Sequence, residues 1–409
     1  MASGAAGEVQ HRPRARPGQM PLDEIHVLLG LRRVPVGVQL QVLLAEPVFV
    51  PGHAAIISSG VLQSRPMAPP FPAPTSALTI PGFTLGHGTD RQALTGATVI
   101  LCPEGALAAA EVRGSATGTR QFDSLVSAQH VSSKAHAVVL AGGSGAGLSA
   151  ADPVVEWLAR HGYGFQTGIV PVPIVPTAIL FDLSLGKPVG PSREVVEAAI
   201  VAAAQGPIEM GSVGAGTGAT VGKANQGPIN GMKGGFGFAS LTAPGGPTVA
   251  AAVAVNAFGD VRRLDGTLLA GCRTAPDSQE LAHAENILAN LPADVASPWD
   301  GNTTLAVVMT DAVLTKANAL KVCNMAFGGF YRALSPALSL YDGDLVVVLS
   351  SGERKAHVNQ IGVLAERAVA EAILAGVEAA DGFGILPAAR DLVKKRLSDR
   401  SDRSDGSDR

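Results

Sequence analysis

Apolar residues along this chain fall into short blocks, and the spacing within each block separates strands from helices. Residues 97–102 and 137–141 are unbroken apolar runs of strand length, and 177–182 has the same character. Further strand signals lie at 213–222, 235–241, 248–256 and 305–311. Helical spacing appears over 152–160, where Val154, Val155 and Leu158 share a side. It returns over 193–204, with Ser192 placed as a cap and Glu194 in the first turn. Residues 278–291 predict a helix, Thr315 opens another, and 358–379 predict a long Ala-rich one. Asp342-Gly343-Asp344 sits at the centre of a predicted strand pair. Strands follow one another with few strand–helix–strand alternations. The pattern therefore predicts an α+β fold, antiparallel sheets covered by helices, rather than a doubly wound one.

The ends break this pattern. Residues 1–20 set Arg12, Arg14 and Arg16 among Pro and Gly. Residues 21–66 are apolar but interrupted by Arg32, Arg33 and prolines, with neither a signal-peptide cleavage pattern nor a helix period. A Pro-rich stretch, PPFPAPTS, follows Met67, so Met1, Met20 and Met67 all stand as candidate starts. Ser-Asp-Arg recurs at 398–400, 401–403 and 407–409, a polar tail with nothing to bury. The expected organisation is a poorly ordered extension over 1–74, a folded body over 75–390 and a disordered tail over 391–409.

Composition narrows the function. At 409 residues and 46% hydrophobic content the chain can bury a large core. A net charge of −3 and 4% aromatic residues give nucleic acid neither a basic field nor a stacking surface. No apolar stretch is long enough to span a bilayer. Cys102, Cys272 and Cys323 lie far apart, which fits a reducing cytoplasm and supplies neither a zinc motif nor a disulfide framework.

Two Gly-rich stretches invite a nucleotide-binding reading, and both fail it. Gly142–Gly147 lead from a strand into a helix but lack the later acidic residue of a dinucleotide site. In 211–223 the position that a phosphate loop reserves for its first Gly is Thr217, and Ala224 stands where Ser or Thr is needed. Their glycines are expected to serve tight turns and close packing. A different chemistry is offered by Asp300-Gly301-Asn302-Thr303-Thr304, which runs into an apolar Val-rich strand. Thr303 would sit at the mouth of a core strand, where its hydroxyl can attack the preceding carbonyl if the turn is strained. Scission there would free an α-amino group with a pKa of about 7.7–8.0, able to act as a base near neutrality.

The segments 211–223 (GSVGAGTGATVGK), 232–240 (MKGGFGFAS), 248–261, 301–311 (GNTTLAVVMTD) and 341–352 (YDGDLVVVLSSG) resemble, in order, the self-cleaving L-aminopeptidase/D-esterase family. That family includes β-peptidyl aminopeptidases and nylon-oligomer hydrolases, and the resemblance is closest to the latter branch. Segments 80–90, 95–105 and 139–148 extend it, so it covers roughly residues 75–385. It implies a four-layer αββα sandwich of the self-processing aminopeptidase/ornithine acetyltransferase type. It implies cleavage between Asn302 and Thr303, dividing the catalytic domain into 75–302 and 303–390. Thr303 would be the nucleophile and its new amine the base. Asn256 matches the family Asn beside the nucleophile and would donate to the oxyanion. Lys223 matches the lysine of the nylon-hydrolase branch. Asp342 and Asp344 match the acidic or polar pair facing the nucleophile. Many relatives carry an aromatic residue in the Gly-rich loop where this chain has Ala146, a departure that bears on the substrate and not the fold.

The expected function is an autoprocessed N-terminal-nucleophile aminopeptidase. It would act on short peptides, amides or esters through an acyl-enzyme at Thr303, with no metal or organic cofactor, as a homo-oligomer of processed heterodimers. Three alternatives stand beside it: an endo-acting amidase on oligomeric amides, an acyltransferase of the ornithine acetyltransferase kind, and an uncut binding or scaffold protein retaining the fold. Lys233 is expected to be structural or on the surface, His87 to support a loop, and Cys323 to lie in the core.

Overall fold

The computed structural model describes residues 71–294 and 301–392. The candidate starts, the extension over 1–70 and the Ser-Asp-Arg tail lie outside the described residues.

Nine strands form one mixed sheet. They are β1 (Thr84–Asp90), β2 (Thr95–Val112), β3 (Gly118–Arg120), β4 (Lys134–Ala141), β5 (Thr177–Ile179), β6 (Gly235–Thr242), β7 (Thr248–Asn256), β8 (Thr303–Ala312) and β9 (Leu345–Arg354). Their order is β6-β7-β8-β9-β2-β4-β5-β3, and β1 also pairs with β2. The main helices are α1 (Ala151–Arg160), α2 (Arg193–Ala202), α3 (Lys316–Ala333) and α4 (Val358–Glu378). The expectation of purely antiparallel sheets is corrected here: β8 with β9 and β4 with β5 run parallel. Each of those pairs is joined through a helix, α3 or α1, and a crossover of that kind returns the chain in the same direction.

β2 joins the two halves of the sheet. Its end at 107–112 pairs with β9, and its start at 97–101 pairs with β4, with a register shift between Leu101 and Ala106. Alternation along the strands sends side chains into separate apolar clusters. On β7, Val249, Ala251, Val253 and Val255 join a cluster with α3 and α4. Ala250, Ala252 and Ala254 join a second, with Leu305 and Val307 of β8 and Val138 and Leu140 of β4. A third packs Ala97, Val99 and Val139 against α1 and α2. α2, α3 and α4 start at side-chain caps. Thr315 Oγ1 accepts from Asn318 N at 3.2 Å and Ser192 Oγ from Val195 N at 3.4 Å. A cap of this kind stabilises its helix by about 1 kcal/mol.

Three elements differ from the pattern-based expectation. Only Ala284–Ala289 is helical within 278–291. The residues ahead of it are held as a loop by Arg273, whose guanidinium donates to the carbonyls of Ile229 (2.7 Å), Gly231 (3.0 Å), Pro276 and Ser278 (3.3 Å). The strand expected over 213–222 reduces to a 3-10 turn, Gly214–Gly216, and a two-residue strand, Thr220–Val221. Gly214 at φ +52 and Gly222 at φ +69 bend the chain off the extended path. No strand pair forms about Asp342-Gly343-Asp344. β9 begins only after it, and Asp342 instead bridges Asn302 in parallel.

Candidate active site

β7 and β8 pair so that Asn256, the last residue of one strand, stands opposite Thr303, the first of the other. On the other side of β8, Leu305 stands opposite Leu345, which brings the 342–344 turn up to the start of β8. Strand register alone therefore gathers Asn256, Asn302, Thr303, Asp342 and Asp344. Lys223 arrives from the Gly-rich segment, its backbone N–H donating to Phe258 O at 2.8 Å.

Hydrogen bonds fix each side chain. Lys223 Nζ donates to Asn256 Oδ1 at 2.9 Å and to Asn256 O at 3.1 Å. Thr220 N and Oγ1 also donate to that Oδ1, at 2.9 and 3.3 Å. These donors settle which end of the amide is oxygen, and Nδ2 donates to Phe181 O at 2.9 Å. The Thr303 hydroxyl donates to Asn302 O, and Gly343 N–H donates to the same oxygen at 2.8 Å. Asp344 accepts from Thr304 N at 2.6 Å and Leu338 N at 3.3 Å. Asp342 accepts from Phe258 N at 3.0 Å, Ser339 N at 3.0 Å and Ser339 Oγ at 2.5 Å. The two aspartates are thus acceptors for loop N–H groups as well as neighbours of Thr303.

None of Lys223, Asn256, Asn302, Thr303, Asp342 and Asp344 is more than 2% exposed. Burial, the largest cause, raises both carboxyl pKa values. The charge of Asp342 pushes Asp344 further up, while the Lys223 ammonium pulls both down. The pair therefore holds a proton more readily than surface carboxylates would, and Asp344 more readily than Asp342. A surface cleft of about 440 Å³ between Pro103, Ser132 and Phe165 includes none of these residues.

Thr303, Asn302, Asn256, Lys223, Asp342 and Asp344, the site residues expected from the sequence, meet here. Further residues contact them, among them Phe181, Thr220 and Ser339, and Asp182 follows Phe181 directly. Phe181 and Thr220 orient Asn256 from 75 and 36 residues away. Only Ser339, three residues before Asp342, has the spacing of a side-chain turn. Lys233 is fully buried, its ammonium donating to the carbonyls of Ala219 (2.7 Å), Gly216 (3.0 Å) and Gly234 (3.2 Å). Burial lowers its pKa to about 7. His87 is held by Thr98 Oγ1 at 2.9 Å and Glu209 O at 3.1 Å, and Cys323 lies in the core. Ala146 is exposed, in the turn Ser144–Ala150.

Comparison with known proteins gives this geometry a context. The chain is 36% identical over 354 residues to an uncharacterized aminopeptidase of Mycobacterium leprae, covering 77% of this chain and 93% of that one. It is 28% identical over 286 residues to the 6-aminohexanoate-oligomer endohydrolase of Paenarthrobacter ureafaciens, covering 67% and 74%. The fold is similar to a Burkholderia sp. beta-aminopeptidase, with TM-score 0.57, 19% identity and coverage of 79% and 95%. It is equally similar to the L-aminopeptidase D-Ala-esterase/amidase of Ochrobactrum anthropi, described as a variant of the Ntn hydrolase fold, with TM-score 0.57, 19% identity and coverage of 80% and 94%. The family model for Peptidase family S58 matches residues 77–384, so the chain belongs to that family and is a peptidase or amidohydrolase of the L-aminopeptidase/D-esterase and beta-aminopeptidase group.

Proposed function

We propose that the chain cuts itself between Asn302 and Thr303 and then works as an aminopeptidase on short peptides, amides or esters, with Thr303 as nucleophile. The observation that carries this reading is the arrangement about one carbonyl: the Thr303 hydroxyl and the Gly343 N–H both meet Asn302 O. In the first step Thr303 Oγ adds to the Asn302 carbonyl carbon, and charge develops on the oxygen that Gly343 holds. The C–N bond breaks, the hydroxyl proton passes to the departing nitrogen, and an ester with a free amine results. Water opens the ester, leaving a carboxylate on Asn302 and restoring the Thr303 hydroxyl.

Each later turnover uses the freed amine, whose ordinary pKa is about 7.7–8.0, as the base that takes the Thr303 proton. Asn256 Nδ2 donates to the substrate oxyanion. Lys223 holds the Asn256 amide from its oxygen side. Asp342 and Asp344 face the ammonium that forms. In the same reading the three apolar clusters lie between helix, sheet, sheet and helix layers. Residues 75–302 and 303–390 make one domain, and the processed pairs assemble as a homo-oligomer in the cytoplasm.

A second reading, an endo-acting amidase, draws support from the endohydrolase relative and from the convergence of Lys223 with both aspartates. Intact-mass analysis tests the shared step. Pieces 1–302 and 303–409 are expected, the smaller beginning Thr-Thr-Leu-Ala-Val, and Thr303→Ala should stay whole while Thr304→Ala is cut. A smaller piece beginning at Thr304, or active protein with no cut, overturns it. A panel of L-, D- and β-aminoacyl amides beside 6-aminohexanoate oligomers then separates the two readings: internal cuts in the oligomers favour the second.

A further inference from the structure

Asp182 is 3% exposed and lies directly after Phe181, whose carbonyl receives Asn256 Nδ2–H. Its carboxylate accepts Gly143 N–H at 2.6 Å on Oδ1 and the Thr95 hydroxyl at 2.8 Å on Oδ2. The neighbouring backbone is tied to the same turn, since Leu180 N donates to Ala141 O at 2.9 Å and Ser144 N to Leu180 O at 3.0 Å. Gly142 leaves room for the carboxylate, because a Cβ there would lie 2.0 Å from Oδ2. On its other side Phe181 packs beside Gly301, the residue before Asn302. The segment 180–182 thus connects the first Gly-rich turn to the amide expected to meet the oxyanion.

We propose that Asp182 is a positioning residue: by gripping Gly143 N–H and the Thr95 hydroxyl, its carboxylate fixes the Phe181 carbonyl and, through it, the direction of the second Asn256 Nδ2 hydrogen. This rests on the reading of Asn256 as oxyanion donor. That second hydrogen has no acceptor among the described residues. An amide turned by a few tenths of an ångström loses the alignment on which an oxyanion donor depends. The ionised carboxylate grips most strongly, because charge-assisted hydrogen bonds are roughly twice as strong as neutral ones.

The grip is therefore sensitive to pH. Burial raises the Asp182 carboxyl to about 6, against the opposing pull of Gly143 N–H, the Thr95 hydroxyl and the Lys233 ammonium. Lys233 is the charged group acting on it; the flanking stretches 142–147 and 211–218 carry no titratable side chain. In acid, two protonations should lower kcat together, one on the Thr303 amine and one on Asp182.

The test uses the full chain, with rates counted per processed molecule. For wild type, log kcat is expected to drop across pH 6 below the slope-one line set by the Thr303 amine, by about the loss seen in Asp182→Asn, and Asp182→Asn is expected to stay on slope one throughout. At pH 8 Asp182→Asn should lower kcat at least about fivefold, with KM within about twofold. Thr95→Val leaves the carboxylate in place but removes one donor to it, so the lower inflection should move to higher pH. Unchanged kcat in Asp182→Asn, the same extra drop near pH 6 persisting in that variant, or a loss confined to KM overturns the proposal. If Asp182→Asn does not fold or process, Thr95→Val decides, and an unmoved inflection is the overturning result. A wild-type chain that is uncut or inactive removes the reading of the site itself. A wild type that is cut and active beside an indifferent Asp182→Asn removes only the positioning role.

Discussion

Gly343 donates its backbone N–H to Asn302 O at 2.8 Å, so a residue of the 342–344 turn holds the carbonyl that Thr303 would attack. A side chain at 343 would disturb this contact. A Cβ there would lie 2.6 Å from both Thr303 Oγ1 and Ala116 O. Gly343→Ala is expected to fold with the turn displaced and to cut itself at least about tenfold more slowly, since one oxyanion donor contributes about 3–4 kcal/mol in comparable sites. A denaturing-gel time course measures this, and a wild-type rate would remove Gly343 from the step.

Asn256→Ala removes the proposed donor to the substrate oxyanion. The catalytic rate per processed molecule is expected to fall about 10²-fold with KM little changed. Intact mass gives the processed fraction, so a loss caused by failed cutting is not mistaken for a loss of turnover. An unchanged rate takes Asn256 out of the mechanism.

Lys233→Met leaves three buried carbonyls without their ammonium, at a cost on the order of 2–4 kcal/mol. The cost should depend on pH in a definite direction. Burial holds the folded pKa at about 7, against an ordinary lysine value of 10.5, so between these values the unfolded chain binds more protons. The contribution of Lys233 to stability therefore rises as pH increases from 7 toward 10 and falls away as pH drops to 7. Urea unfolding at pH 7 and pH 9.5 should show wild type gaining on the variant at the higher pH. A constant gap would contradict the depressed pKa.

Deleting residues 1–66 is expected to leave a folded, self-cutting protein with a melting temperature close to that of the full chain. The family match begins at residue 77, and Thr75 already exchanges backbone hydrogen bonds with Ser240. Loss of soluble, processed protein would show that the segment serves the fold.

What the sequence made legible was periodic. β7 is an unbroken run of Val and Ala over 249–255 between Thr248 and Asn256 and was readable to the residue, and α4 ends one residue short of its expected limit. The core of the site was legible for a different reason. The ordered motifs pointed to Thr303, Asn256, Lys223 and the two aspartates; strand register brings all but Lys223 together, and Lys223 joins through its hydrogen bonds to Phe258 and Asn256. Failures came where side chains capture backbone. Arg273 holds the loop that resembled a helix, and Asp342 and Asp344 gather N–H groups from Phe258, Ser339, Thr304 and Leu338 instead of turning a hairpin. Asp182 was illegible because its partners Gly143 and Thr95 are 39 and 87 residues away, and no local spacing announces such contacts.

β8 lies between β7 and β9, so a cut ahead of Thr303 would leave its strand bonded on one side to each of the two resulting pieces. Such a cut breaks connectivity and spares the sheet. The continuous chain reaches the fold in a unimolecular reaction, with β7 and β8 on one polymer. Once opened, denatured and separated, the pieces must meet by diffusion to rebuild the same ladder. Recovery would then depend on protein concentration, while recovery of the uncut Thr303→Ala chain would not. Processing would thus act as a one-way step: it leaves the native sheet intact while removing the covalent route by which that sheet was first assembled.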